Sequence, residues 1–157
     1  MIEEKKTQLY NNSMRILFSL LFFLCNVLNA KDYTVDSTAR LKLNTIDIAE
    51  YYKSTIAELE VRWTDSNGEF GLGKCNAHVI SKKNEEIIDA YCENLDSSGD
   101  KFWTHLNRNS SQIEAGIGII TYINGTGKYK ILIGKKCNYA VSYFDNLNIF
   151  FKQICKI

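Results

Sequence analysis

The side chains best suited to chemistry are His78, His105 and the carboxylates. His105 lies two residues after Trp103, so on a strand both side chains face the same side. An apolar wall beside an imidazole can form a ligand pocket or hold a general base. If that face lines the interior of a barrel, Trp103 and His105 are candidate ligand-binding residues and His105 is the candidate catalytic group. Ordinary surface or packing roles are the alternative interpretation, and His78 lies in no motif that compels a reaction.

Four of the five cysteines lie after residue 30, namely Cys75, Cys92, Cys137 and Cys155. An even set in an exported domain predicts disulfides rather than free thiols. The rival is a zinc site, because Cys75 and His78 have a C-x-x-H spacing. On a strand, however, residues three apart point to opposite faces, and we expect no metal site.

The positions of the cysteines rank the possible pairings. A turn centred near Asn84 would place Cys75 and Cys92 almost opposite each other on neighbouring strands, with both on the apolar face. The first expected bridge is therefore Cys75–Cys92. The second is then Cys137–Cys155, which would fasten a C-terminal helix to the barrel.

Two further motifs have weaker chemical interpretations. Asp96, Ser98 and Asp100 place oxygen donors at alternating positions, but no bidentate glutamate follows at calcium-loop distance. The segment 125–128, Gly-Thr-Gly-Lys, lacks the full phosphate-loop frame. Turns are the better interpretation of both segments, and we expect no cofactor.

Alternation of apolar and polar residues predicts the elements that carry these side chains. Ala57, Leu59, Val61 and Trp63 share one face of a strand, and similar runs follow up to residue 143. With a run at residues 39–43 and another at 129–133, about eight short strands joined by turns predict a mainly β fold, a small antiparallel barrel or sandwich.

Two stretches break the alternation. Leu147, Phe150, Phe151 and Ile154 follow helical spacing behind Asp145, an N-cap candidate, so a short C-terminal helix is expected. For residues 46–56 a helix and an extended loop are both open.

The first 30 residues have the layout of a secretory signal peptide. Arg15 precedes an apolar run of 13 residues, Ile16–Leu28, which ends at Asn29-Ala30. A bilayer-spanning helix needs about 20 apolar residues, so a permanent membrane span is the lesser alternative. The true start could be Met14. We expect residues 1–30 to be removed and residues 31–157 to form a single periplasmic or secreted domain.

The charge balance of residues 31–157 excludes some partners. Three of the 19 Lys and Arg and two of the 18 Asp and Glu precede residue 31, so the domain carries 16 of each. A neutral domain without a basic stretch has no electrostatic footprint for nucleic acid or an anionic membrane.

Two turn motifs suggest a family. Ser98-Gly99-Asp100-Lys101-Phe102-Trp103 and Asn124-Gly125-Thr126-Gly127-Lys128-Tyr129 resemble segments of small exported bacterial proteins of unassigned function, which look like allene oxide cyclase-type β-barrels. The likeness covers about residues 57–144 and includes Cys92, although Ile131 stands where relatives tend to have glycine. The resemblance implies a barrel and export, but a barrel does not determine an activity.

Three functional hypotheses follow. The first is a non-catalytic binding module for a small apolar ligand or an envelope protein. The second is an isomerase or cyclase that uses His105 and either Glu114 or Glu60. The third is an envelope-associated structural protein whose aromatic stretch 144–151 packs on a partner, which an exposed apolar patch would favour.

Overall fold

A computed structural model describes residues 32–110 and 115–156 of the chain, and in it the strands form one closed antiparallel barrel. Each strand pairs with the next, and the last pairs with the first, so the expected mainly β barrel is confirmed. The predicted signal peptide and Glu114 lie outside the described residues. The strands are β1 (Tyr33–Ala49), β2 (Tyr52–Asp65), β3 (Phe70–Lys82), β4 (Glu85–Asp96), β5 (Lys101–Ser110), β6 (Ala115–Gly125), β7 (Lys136–Tyr143) and β8 (Asn148–Cys155).

The alternation seen in the sequence is the alternation between the inside and the outside of the barrel. On β2, Ala57 and Trp63 are buried while Glu58 and Arg62 are exposed. The main core is aromatic, with Trp63 edge-on to Phe102 at a centroid distance of 5.2 Å. A second, smaller cluster consists of three buried alanines on neighbouring strands, Ala57, Ala77 and Ala90.

The expected C-terminal helix is wrong, because residues 148–155 form β8. Ile149, Gln153 and Cys155 point into the barrel, and β8 pairs with both β7 and β1. Closing the barrel satisfies the backbone groups of two strand edges at once, which outweighs the helical spacing of four apolar side chains. Asp145 does bind backbone N–H groups, those of Leu147 and Asn148, both at 2.7 Å, but it does so in the β7–β8 turn.

The expected strand at residues 129–133 is also wrong, since Gly127–Leu132 is a short 3-10 helix. Tyr129 and Leu132 are buried at the end of the barrel, whereas Ile131 is exposed. The number of strands remains eight, because the strand expected at 129–133 is absent and the segment 148–155, expected to be a helix, is a strand. At residues 46–56, β1 and β2 continue as a hairpin around a turn at Glu50 and Tyr51, so the helix alternative is wrong there.

Both expected disulfides are confirmed. Cys75 and Cys92 lie opposite each other on β3 and β4, with 4.1 Å between their Cα atoms. The second bridge joins Cys137 of β7 to Cys155 of β8, with 4.4 Å between Cα atoms, so it links two strands rather than a strand and a helix. Because Cys155 is at the end of β8, this bridge holds the closing strand in place.

Two turns at one end of the barrel have the same construction. In the β2–β3 turn, Asp65 Oδ1 accepts the backbone N–H groups of Asn67 and Glu69 at 2.8 and 2.9 Å. In the β4–β5 turn, Asp96 Oδ1 accepts those of Ser98 and Asp100 at the same distances. The recurring sequence Asp-Ser-x-Gly followed by an acidic residue therefore encodes one hairpin turn twice.

The second carboxylate oxygen of Asp96 joins this turn to the 3-10 helix. Asp96 Oδ2 accepts hydrogen bonds from Lys128 Nζ at 2.8 Å and from the Tyr129 hydroxyl at 3.1 Å. Thr126 Oγ1 donates to Asp100 Oδ1 at 3.0 Å and accepts from Lys101 N at 2.7 Å. The two motifs on which the family resemblance depends are thus in direct contact.

Gly127 is required where these motifs meet. Its φ is 44°, and a Cβ added there would lie 2.0 Å from Asp100 Oδ2. Both the left-handed backbone and the close approach exclude a side chain. The Gly-Thr-Gly-Lys segment is therefore structural: it seals one end of the barrel.

No helix within the described ranges is long and apolar enough to cross a membrane.

Removing the Cys137–Cys155 bridge should destabilise the fold. The bridge spans 18 residues, and a loop of this size corresponds to about 3 kcal/mol in the chain-entropy model. The double variant Cys137→Ser/Cys155→Ser is expected to lose about that much unfolding free energy in a denaturant titration. A non-reducing peptide map of the parent protein that paired Cys75 with Cys137 would contradict the register.

Asp96→Asn should destabilise the protein and flatten its response to acid. Burial alone raises the pKa of Asp96, but hydrogen bonds from Lys128, Ser98 and the backbone N–H of Asp100 hold it well below its usual range. A lowered folded-state pKa means that the stabilisation is complete above the ordinary Asp value of about 3.9 and is lost as pH falls below it. We expect the variant to lose about 2–3 kcal/mol at pH 7, the cost of removing a charged hydrogen-bond partner.

The control for this prediction is Asp36→Asn, which changes an exposed carboxylate on the outer wall. Unfolding free energies measured between pH 7 and pH 2 should converge for Asp96→Asn and the parent protein, while the control follows the parent. Equal stability of Asp96→Asn and the parent at pH 7 would show that the contacts of Asp96 contribute nothing.

Candidate functional site

Within the described part of the chain, side chains fill most of the barrel interior and leave a cavity of about 60 Å³ between them. Leu106, Ile120, Phe102 and Val61 are among its lining residues. Sites for drug-sized ligands measure about 300–1,000 Å³, so this cavity is too small for such a ligand. An eight-stranded barrel is just wide enough for side chains to fill it, and here they do.

The buried polar groups of the interior bond to one another. Gln153 Nε2 donates to the Tyr122 hydroxyl at 2.7 Å. Toward the opposite end of the barrel from Asp96, Arg108 is 2 % exposed and donates through Nη2 to Glu86. Burial raises the pKa of Glu86, and the positive charge of Arg108 opposes that rise. Among the described residues, Arg108 Nε and Nη1 have no hydrogen-bond partner.

Trp103 and His105 lie on the outer face of the barrel, so the expectation that their face lines the interior is wrong. Their neighbours on β5, Phe102 and Thr104, are the buried ones. β5 carries an aromatic residue on each face, Phe102 and Trp103, and Phe102 is the one that packs inward against Trp63. Whether Trp103 and His105 bind a ligand stays a prediction, now for an outer surface.

Polar and aromatic neighbours engage both side chains. Trp103 Nε1 donates to Glu93 Oε2 at 3.0 Å. His105 stacks on Tyr91 with 4.5 Å between ring centroids, and its Nε2 lies 3.2 Å from Asp89 Oδ2. These cross-strand contacts give both residues a structural role on the surface. The other enzyme candidate, Glu60, is exposed on the outer face of β2.

The second histidine also lies on the outer wall. His78 Nε2 is 2.9 Å from Ser54 Oγ, a contact that the sequence gave no reason to expect. Cys75, by contrast, points inward and is bridged, so it cannot share a zinc ion with His78. Across the described residues, no group of three or more His, Cys, Asp or Glu side chains is placed to hold a metal ion.

The calcium interpretation of residues 96–100 does not fit either. Both oxygens of Asp96 are occupied by protein donors, and the ammonium group of Lys128 occupies the position of a cation. Lys128 also pairs with Glu69 at 2.7 Å. This cluster holds the two turns and the 3-10 helix together.

A large open groove on the outer wall is the best candidate for a binding site. Its volume is about 850 Å³, and it crosses five adjacent strands, β7, β8, β1, β2 and β3. Its exposed apolar side chains are Phe70, Leu72 and Phe150, at 58 %, 64 % and 54 % exposure. The outer groove is defined here by Phe70, Leu72, Phe150, Thr38, Arg62 and Lys152.

The outer groove carries one cation that is not neutralised. Lys152 is paired with Asp36 at 3.3 Å. Arg62, at the centre on β2, takes part in no ion pair with any residue that the structure describes. The groove therefore combines apolar side chains with a guanidinium group that can accept an anionic partner.

The exposed apolar surface continues beyond the groove. Phe144, in the β7–β8 turn, is 76 % exposed, and its ring lies edge-on to Phe150 at 6.4 Å. A second depression of about 400 Å³ joins Phe144 to Phe150 and Arg62. The aromatic stretch 144–151 thus does present an exposed patch.

Phe70 and Leu72 were not predicted as site residues, although the sequence of β3 indicates that they face outward. On β3 they alternate with Gly71 and Gly73, so the large apolar side chains face out and the glycines face in. A Cβ on Gly71 would lie 2.1 Å from Leu95 O and 2.7 Å from Trp63, so the glycine makes room for the core tryptophan. Large apolar residues that alternate with glycines on a strand therefore indicate an apolar outer face.

No protein-family model matches this chain, and no curated protein matches it either.

Truncation of the two tryptophans should destabilise the protein to very different extents. Trp63 is 3 % exposed and packs on Phe102 and Tyr129, so Trp63→Ala should cost about 3–5 kcal/mol of unfolding free energy. Trp103→Ala removes an outer side chain and should cost about 1 kcal/mol or less. Denaturant titrations of both variants measure this. A larger loss for Trp103→Ala than for Trp63→Ala would mean that β5 faces the other way.

Proposed function

We propose that this protein is an exported, non-catalytic binding module that holds a segment of a partner protein in its outer groove. The observation that carries the proposal is the contrast between an interior cavity of about 60 Å³ and an outer groove of about 850 Å³ with exposed Phe70, Leu72 and Phe150. Exposed apolar side chains clustered in a concave surface are typical of interaction sites.

A protein segment suits the groove better than a small apolar ligand. Small-molecule sites enclose most of the surface of the ligand, whereas this groove is open along five strands of the outer wall. The chemistry expected of the segment is one or two apolar side chains beside an acidic one. The apolar groups would pack on Phe70, Leu72 and Phe150, and the carboxylate would pair with Arg62.

Less supports the enzyme alternative. Its candidate base, His105, lies on the outer wall beside Asp89, and the interior cavity of about 60 Å³ is far smaller than an ordinary substrate site. The envelope-associated alternative shares its surface with the proposal, because Phe150 of the aromatic stretch also lines the outer groove. An envelope protein is therefore a suitable class of partner.

Export is supported by the two disulfides, which are compatible with an oxidising compartment outside the cytoplasm. It also accords with the apolar leader in the sequence. N-terminal sequencing of the native protein should begin at or near Lys31, and a chain that retains Met14 to Ala30 would contradict the signal-peptide interpretation.

Photo-crosslinking in the producing cell tests the groove. A photoreactive residue at position 72 should yield a discrete protein adduct, and the additional change Arg62→Glu should lower the yield about tenfold by reversing the charge that the partner meets. The matched control places the same residue at Ile117, which is 74 % exposed on β6 and outside the groove.

The proposal fails if positions 72 and 117 give the same adducts, or if Arg62→Glu leaves the yield unchanged. An adduct with the mass of a lipid or a metabolite would replace the protein partner with a small ligand.

A further inference from the structure

The hairpin of β1 and β2 extends beyond the strand that closes the barrel. β8 pairs with β1 only as far as Arg40 and Asn148, followed by one bond from Leu41 N to Leu147 O at 2.7 Å. β1 continues to Ala49 and, among the described residues, pairs there with β2 alone. The segment 42–49 of β1 therefore has one free edge.

The chemistry of this free edge follows from the alternation of an antiparallel ladder, in which the N–H and C=O of one residue point to the same side. The N–H of Leu41 points toward β8, so the backbone groups of Leu43, Thr45 and Asp47 point the same way, away from β2. An unpaired strand edge of this kind is a template for another strand.

The free edge is also apolar on its outer face. Ile46 and Ile48 are 65 % and 54 % exposed, and Tyr51 in the turn is 54 % exposed. Edge strands are commonly protected by charged side chains or by proline, but the chain contains no proline, and Asp47 of this edge is already paired with Lys53 of β2 at 3.1 Å. A second strand that paired with this edge would satisfy its unpaired backbone groups and cover its apolar side chains.

We propose that the free edge of β1 pairs antiparallel with the same edge of a second copy of this chain, forming a two-fold symmetric dimer. A symmetric pair keeps the outer faces of both strands on one side, which restricts the possible registers to those that bring residues of the same face together. In the favoured register Ile46 meets Ile46 of the second copy, and Thr45 meets Asp47.

Charge and length select this register. It brings Lys42 near Glu50 of the second copy, which lies in the turn past the register shift between Asp47 and Ala49, and their opposite charges attract. A shift of one step in either direction places Leu43 opposite Asp47 or Asp47 opposite Asp47, both unfavourable. The residue that would meet Leu41 is Tyr51, in the turn, so the second hairpin ends where β8 ends and displaces no strand.

Thr45→Pro tests the pairing because it removes a hydrogen-bond donor from the free edge only. The N–H of Thr45 points away from β2, so the β1–β2 ladder keeps its bonds. The control is Thr45→Val, which also loses the hydroxyl contact with Thr55 but keeps the N–H. Sedimentation velocity of the purified, oxidised protein should show a dimer for the parent and the control. For Thr45→Pro we expect a dissociation constant at least about tenfold higher, from two lost hydrogen bonds per dimer.

A cysteine at the two-fold axis tests the register and does not depend on the folding of Thr45→Pro. Ile46→Cys should form a disulfide-linked dimer in air, because opposed residues have Cβ atoms about 4.5–5.5 Å apart. Ile48→Cys, which would meet Asn44, should form little. The proposal is overturned if the parent protein stays monomeric at all concentrations. It is overturned in the same way if the free edge binds an extended peptide of another protein but no second copy of this chain. It is also overturned if Thr45→Pro dimerises like the parent, or if Ile48→Cys crosslinks as well as Ile46→Cys.

Discussion

The pairing of β8 with β1 is the constraint on which the rest of this structure depends. It converts an eight-strand sheet with two exposed edges into a closed barrel, and the Cys137–Cys155 bridge holds β8 against its other neighbour, β7. Closure is what encloses the aromatic core of Trp63, Phe102 and Tyr122, because those side chains need walls on every side. The contacts of Asp96 with Lys128 and Tyr129 then seal one end of the enclosed space.

Closure also determines where binding surfaces can form. Because the interior is filled, exposed apolar side chains are found on the outer wall, and the outer groove crosses the line where β8 meets β1. The free edge of β1 begins where β8 ends, at Arg40 and Asn148. Both surfaces thus follow from the position and the short length of one strand, the last in the chain.

Much of the fold could be predicted because it depends on local alternation. The faces of β2, the turn near Asn84 and hence the Cys75–Cys92 bridge all follow from residues close together in sequence. The error at residues 148–155 has a different origin: Phe150 and Phe151 are adjacent, one facing the groove and one the core, so both helix and strand patterns fit them. Pairing with β7 on one side and with β1, more than 100 residues earlier, on the other decides between the two.

The candidate site was harder to predict for a related reason. Strands β3, β5 and β8 carry large apolar or aromatic side chains on both faces, and alternation alone cannot say which face is inside. On β5 the face with Trp103 and His105 was predicted to line the interior, but Phe102 of the other face is the residue that packs on Trp63. On β3 the glycines face the core, so Phe70 and Leu72 remain on the outer wall. Packing across the barrel, which no single segment encodes, settles each case.

Amide hydrogen exchange along β1 tests the closure most directly. In dilute protein, the amides of Val35, Ser37 and Ala39, which point toward β8, should be as strongly protected as the core, whereas those of Leu43 and Thr45 should exchange rapidly. Rapid exchange at Val35, Ser37 and Ala39 as well would mean that β8 does not lie on β1, and would contradict the closed barrel.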